Sequence, residues 1–255
     1  MEKKYCRANA YNKLGELLPI EERTFITNER YECIIINGGS KQHHVTCTIE
    51  GVTFEARAGN VRNGEVAYLL HKSMCGVGYT GYGIYLPKTH RKAYVIWGNM
   101  LNRCYSEVYL FKYPTYKEVS VHPDWYNFQN FARWFYEESN FRDGWELDKD
   151  LLSGNVKVYS TTTCIFLPKH LNTFIIDVAT AADTNTRSIR LRKDTGKYSV
   201  RFQCKLVNNG KTIAGGCFDT EAEAIVKLNE IKNTYLPEIK YFYKDQLPES
   251  ILDLL

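Results

Sequence analysis

Apolar and polar positions alternate with a period of two in the first third of the chain, take helical spacing in the middle, and alternate again near residue 197. Residues 31–36, 45–49 and 52–58 read as strands. Asn37-Gly38-Gly39 supplies turn chemistry between the first two. Val95, Trp97, Met100, Leu101 and Cys104 predict one helix. Trp125, Phe128, Phe131, Trp134 and Phe135 predict a second just after Pro123, with 113–116 and 121–124 as loop between them. A strand, a turn, a second strand and a helix start are predicted across 146–172. In Lys197-Tyr-Ser-Val-Arg-Phe-Gln-Cys-Lys205, the residues Tyr198, Val200, Phe202 and Cys204 share one side of a strand. Lys197, Ser199, Arg201, Gln203 and Lys205 share the other, because successive side chains on a strand point to opposite faces. Gly215-Gly-Cys-Phe218 is a further short strand. Thr220 then N-caps a helix, Glu223 completes a capping box, and Ala224, Leu228, Ile231 and Tyr235 form an apolar stripe to cover the sheet. The fold class predicted is α+β, in three segments: a β-rich module at 1–92, a strand–strand–helix core with a helical lead-in at 93–182, and a three-stranded sheet plus one helix at 183–255.

Charge changes the picture in one place. Residues 186–215 carry Arg187, Arg190, Arg192, Lys193, Lys197, Arg201, Lys205 and Lys211 against the single acid Asp194, a net +7 in a chain of 255 residues whose total is +4. A solvated face on an antiparallel sheet also alternates, but an ordinary surface mixes its signs. A one-signed face backed by an apolar one predicts an anionic partner, with nucleic acid foremost.

Composition excludes several classes. Aromatic residues at 14%, nineteen of them tyrosine, mark a folded chain. Met1-Glu-Lys-Lys-Tyr-Cys6 is not a signal peptide, and no run approaches the ~18 apolar residues of a membrane span. A cytoplasmic protein with no membrane partner is expected. The eight cysteines (Cys6, Cys33, Cys47, Cys75, Cys104, Cys164, Cys204 and Cys217) contain no Cys-x-x-Cys pair, which predicts reduced, mostly buried thiols rather than a zinc ribbon. His43-His44 and His122 lack further ligands at metal spacing. Gly76-Val-Gly-Tyr-Thr-Gly81 matches a dinucleotide-binding spacing, but no strand-to-helix context surrounds it.

Ile189-Arg-Leu-Arg, Gly196-Lys-Tyr-Ser-Val-Arg and Gly215-Gly-Cys-Phe-Asp-Thr-Glu-Ala-Glu-Ala resemble, over about fifty residues, the ethylene-response-factor type DNA-binding domain, including its phage versions. That family lays its sheet in the major groove of double-stranded DNA. The resemblance implies that Arg190, Arg192, Lys197, Arg201 and Lys205 face DNA, arginine being able to read guanine and lysine more often holding phosphate.

A second resemblance covers about eighty residues. Trp97, Met-Leu-x-Arg-Cys-Tyr105, Tyr-Pro-Thr-Tyr116, Trp125, Phe128, Phe131, Trp134, Leu-Asp-Lys-Asp150, Gly-Asn155, Tyr-Ser160, Cys164, Pro168 and Asn172 look like the HNH-related segment of phage homing-endonuclease-like proteins. It makes the central core an HNH-like ββα unit. It also implies that Asp148 and Asn172 occupy the metal-ligand places, for Mg²⁺ in an active enzyme, and that Lys149 occupies the place of the catalytic base. A lysine at its ordinary pKa of ~10.4 is protonated at neutral pH and cannot take a proton from water. His170, near Asn172, is a substitute base with only its position to recommend it. A third, shorter resemblance runs from Phe54-Glu-Ala-Arg57 through Cys75-Gly-Val-Gly-Tyr-Thr-Gly-Tyr-Gly83, to a small DNA-binding repeat of the same phage proteins. It implies a second grip on the duplex through Arg57, Arg62 and Lys72, and two linked grips raise affinity by effective concentration.

The expectation is a DNA-binding protein of phage or mobile-element type, acting in the infected bacterial cell, derived from an HNH homing endonuclease and lacking nuclease activity and cofactor. The alternatives are an active Mg²⁺-dependent nuclease, and a scaffold recruited to bind a protein partner through its tyrosine-rich N-terminal module.

Overall fold

In the computed structural model the described residues are 19, 24–37, 44–154, 156–179 and 188–255. The Asn37-Gly38-Gly39 turn, Cys6, His43, Asn155 and Arg187 lie wholly or partly outside them. The architecture is α+β. Residues through Ser73, with Tyr79–Tyr82, make one compact unit; Met74–Gly78, with Gly83–Leu255, make another.

In the first unit, β1 (Thr24–Ile26), β2 (Glu32–Asn37), β3 (His44–Ile49) and β4 (Val52–Arg57) pair in sequence order as one antiparallel sheet. Phe25, Cys33, Ile35, Val45, Cys47 and Ile49 fill its inner face with Val61, Val66 and Tyr68. Glu50 (φ 49°) and Gly51 (φ 81°) join β3 to β4 in the left-handed region, the turn whose twist suits two antiparallel strands. The strand predicted over 52–58 stops at Arg57, because Ala58 opens α1 (Ala58–Asn63). β1, three residues long, is too short to show a period. The glycine-rich 76–81 stretch forms turns and a Met74–Gly78 bridge, with no helix after it.

The second unit opens with α2 (Arg91–Tyr105) and α3 (Glu107–Lys112), followed by β5 (Ser120–Val121) and α4 (Phe128–Arg133). On α2, Trp97, Met100, Leu101 and Cys104 are buried as the spacing predicts. Val95 is 41% exposed, contrary to that reading: two residues from Trp97, it lies about 200° around the helix. The five aromatics of the second predicted helix are all buried, yet the helix is not continuous. A 3₁₀ turn (Pro123–Tyr126) precedes α4, Asn127 caps α4 by accepting from Gln129 N at 3.0 Å, and a wider π turn (Trp134–Glu138) ends it.

β6 (Trp145–Asp148) then pairs antiparallel with β8 (Ile165–Pro168), with Asp148 opposite Ile165. Between them lie α5 (Asp150–Ser153) and β7 (Val158–Tyr159), the latter parallel to β5. α6 (Lys169–Ala179) follows β8 directly and packs on both strands, giving the predicted strand–strand–helix order.

β9 (Ile189–Leu191), β10 (Tyr198–Phe202) and β11 (Ile213–Phe218) form an antiparallel sheet in the order β11-β10-β9. The alternation predicted to Lys205 persists in burial, though the strand itself ends at Phe202. α7 (Glu221–Tyr243) covers the sheet with Ala224, Leu228 and Ile231, and its capping box from Thr220 to Glu223 is formed. A bulge sits opposite Val200 and Arg201. Gly215 is needed there: a Cβ on it would lie 2.7 Å from Val200 Cγ1 and 3.0 Å from Ile231 Cδ1. Pro237 interrupts the backbone ladder inside α7, but Ile239 and Tyr243 beyond it are buried with Leu247, and with Ile251 and Leu252 of α8 (Glu249–Leu252). The core of this sheet also takes Ile165 and Leu167 from β8 and Leu171 and Phe174 from α6. The change of segment at residue 182 is therefore not a break in the core.

Candidate nucleic-acid interface

The register fixes which side chains share the outer face of the C-terminal sheet. Val200 pairs with Ile189 and both are buried, so the neighbouring pair, Ser199 and Arg190, points the other way, alongside Cys217 of β11. Arg201, opposite Ala214, joins that face across the bulge. Arg190, Arg192, Lys197, Arg201 and Lys205 are all exposed. Cys217 is exposed too, while Cys33, Cys47, Cys104, Cys164 and Cys204 are buried, so the described thiols are mostly buried as expected.

The five cations are not equivalent. Arg192 makes a two-pronged contact with Asp194, 2.7 Å from Nη2 to Oδ2 and 3.2 Å from Nε to Oδ1. The guanidinium holds the Asp194 carboxyl below the usual carboxylate range. Lys197 Nζ lies 2.9 Å from Asp219 Oδ1, and that hydrogen bond raises the ammonium above the usual lysine range. Arg190, Arg201 and Lys205 have no ion-pair partner among the described residues. These three present charge without a competitor.

The residues in the HNH-like places have a different setting. Asp148, Lys149 and Asn172 are only 5%, 7% and 6% exposed. Asp148 Oδ1 accepts from Asp150 N (3.0 Å) and Leu151 N (2.9 Å), fastening the start of α5. Burial pushes its carboxyl above the usual range. Lys149 Nζ donates to Asp150 and sits 5.8 Å from the centre of the Tyr159 ring, a cation–π contact. Asn172 Nδ2 donates to Glu146 Oε2 at 3.3 Å, while its buried Oδ1 has no hydrogen-bond partner among the described residues. Asp148 and Asn172 are thus held in separate hydrogen-bond sets. Among the described residues no three of His, Cys, Asp and Glu gather to hold a metal. His170, two residues from Asn172 and so on the other side of α6, lines a groove toward the C-terminal sheet instead.

Arg57, Arg62 and Lys72 are exposed on the first unit. Among the described residues, no helix is long and apolar enough to cross a membrane. No family model, curated protein or solved structure matches this chain. Two features had no signal in the sequence reading. One is Glu146, which pairs with Asn172 and lies 3.6 Å from Lys169. The other is Lys232, a lysine in the α7 repeat that is only 2% exposed.

Proposed function

We propose that this chain is a duplex-DNA-binding protein that docks through the outer face of its C-terminal sheet. The observation that carries the reading is the exposed set Arg190 and Arg201, with Lys205 just past β10, none of them ion-paired among the described residues, beside a sheet whose back is packed against α7. Guanidinium groups on a rigid sheet suit phosphate oxygens and the acceptor edge of guanine. Binding should draw on phosphate contacts and weaken steeply with salt. The same reading makes the chain a phage or mobile-element type protein descended from an HNH homing endonuclease, at work in the cytoplasm of an infected bacterial cell.

Loss of cutting is supported by burial: a scissile phosphate needs access, and Asp148, Lys149 and Asn172 have almost none. Lys149 at the base position points the same way. A protein partner remains a second reading because Ile26, Ile34 and Ile36, on neighbouring strands of the first unit, are 42%, 40% and 49% exposed.

The test is binding and cleavage of supercoiled plasmid over a salt series, with Mg²⁺, Mn²⁺ or EDTA. Salt-sensitive binding that Arg190→Gln plus Arg201→Gln weakens, without nicking, is expected. Metal-dependent nicking lost in Asp148→Ala would establish the nuclease instead, and binding indifferent to both arginines would sink the sheet interface.

A further inference from the structure

We propose that the DNA backbone also seats in the groove between the first turn of α6 and the C-terminal sheet, so that the ββα segment and the sheet hold one strand together. This rests on the duplex-DNA reading above and extends its footprint beyond the sheet.

The groove has a volume of about 680 Å³. Its wall on one side is Lys169, His170 and Thr173 of α6, and on the other Arg190, Arg201 and Lys205. Four cations and no carboxylate stand among its described lining residues. Among the described residues the one acid that engages any of the four is Glu146, 3.6 Å from Lys169, in a pair whose side chains are 67% and 44% exposed. An exposed pair of that kind is weak, and Lys169 can exchange it for phosphate.

The groove is built by the core rather than by mobile side chains. Buried Phe174, Phe202 and Cys204 form its floor. Lys232 of α7, itself buried, donates to Phe174 O at 2.7 Å and lies 5.1 Å from the centre of that ring. This contact locks α6 against α7, and α7 carries the sheet. A pre-formed cleft lined by four cations and no carboxylate among its described residues suits a polyanion. The polyanion is assigned to DNA because Arg190 and Arg201 belong both to the groove and to the open sheet face, so a strand lying on that face is already at the groove mouth.

The test is fluorescence-anisotropy titration of a labelled duplex by the full chain across a salt series, for wild type, Lys169→Gln, Lys205→Gln and Arg190→Gln, with melting midpoints as a control. Lys169→Gln should bind several-fold more weakly, with an unchanged midpoint and a salt slope shallower by about 0.9, the value of one phosphate contact. If Arg190→Gln and Lys205→Gln weaken binding while Lys169→Gln matches wild type, the groove is overturned and the sheet interface stands. If wild type binds no duplex, both fall. Inorganic tripolyphosphate binding that Lys169→Gln abolishes, with the duplex salt slope untouched, would overturn DNA as the occupant in favour of a small polyanion.

Discussion

The β6–β8–α6 hairpin and the C-terminal sheet share one unit, and both carry clustered charge, but they place it oppositely. In the hairpin an aspartate, a lysine and an asparagine are enclosed and partnered to their own backbone or neighbours: Asp148 by two amides, Lys149 by Asp150 and Tyr159, Asn172 by Glu146. On the sheet side, Arg190, Arg201 and Lys205 are exposed, and no ion pair engages them among the described residues. Burying a charge is costly unless it is paired, so the first cluster is committed to holding the fold. The second keeps its charge in solvent, which is the setting on which the proposed duplex contact rests. The nature of the residues is similar in the two places; accessibility separates their roles.

That contrast breaks first at Lys149. Lys149→Ala removes an enclosed ammonium together with its hydrogen bond to Asp150 and its contact with the Tyr159 ring, and should cost roughly 1.5–3 kcal/mol in a urea melt. A loss no larger than that of a surface substitution would show the cluster to be solvated. Lys232→Met is next: it leaves the Phe174 carbonyl without its lysine donor and should cost roughly 1–2 kcal/mol. It should also weaken duplex binding beyond its effect on folding, because α6 loses its anchor. Arg201→Gln inverts the pattern, changing stability by less than about 0.5 kcal/mol while lowering DNA affinity and flattening the salt dependence.

The smallest effect is expected at Asp148, where pH gives the sign. Burial raises its pKa in the folded state, so the fold holds that proton more tightly than the unfolded chain does. Its contribution is therefore fully present below the unfolded value of ~3.9 and is lost as pH rises through the folded value. Asp148→Asn keeps an oxygen for the Asp150 and Leu151 amides and removes the buried charge. It should be neutral or slightly stabilising at neutral pH, with the gain fading as pH falls into the carboxylate range. A variant destabilised at neutral pH would mean that the charge itself is needed there.

Much of the architecture was legible because local patterns agreed with it. The strands at 32–37, 44–49 and 52–57, the apolar stripe of α2 and the capped start of α7 all follow from periodicity or capping chemistry. The misses have physical reasons. β1 is shorter than any usable period, and Asn127 restarts what the aromatic spacing made one helix. Val95 shows that an apolar residue near a stripe need not belong to it. On the C-terminal sheet, alternation identified the basic face, but not that Asp194 and Asp219 engage two of its five cations.

The sequence by itself determined the α+β elements and the concentration of positive charge on one side of β10, because both depend on neighbours a few residues apart. Only the tertiary structure decided that Lys169 and His170 line the same groove as Arg201 and Lys205, and that Lys149 is enclosed. Those outcomes arise from side chains packed across long separations, as where Lys232 reaches Phe174, fifty-eight residues away, and no local period encodes such a contact.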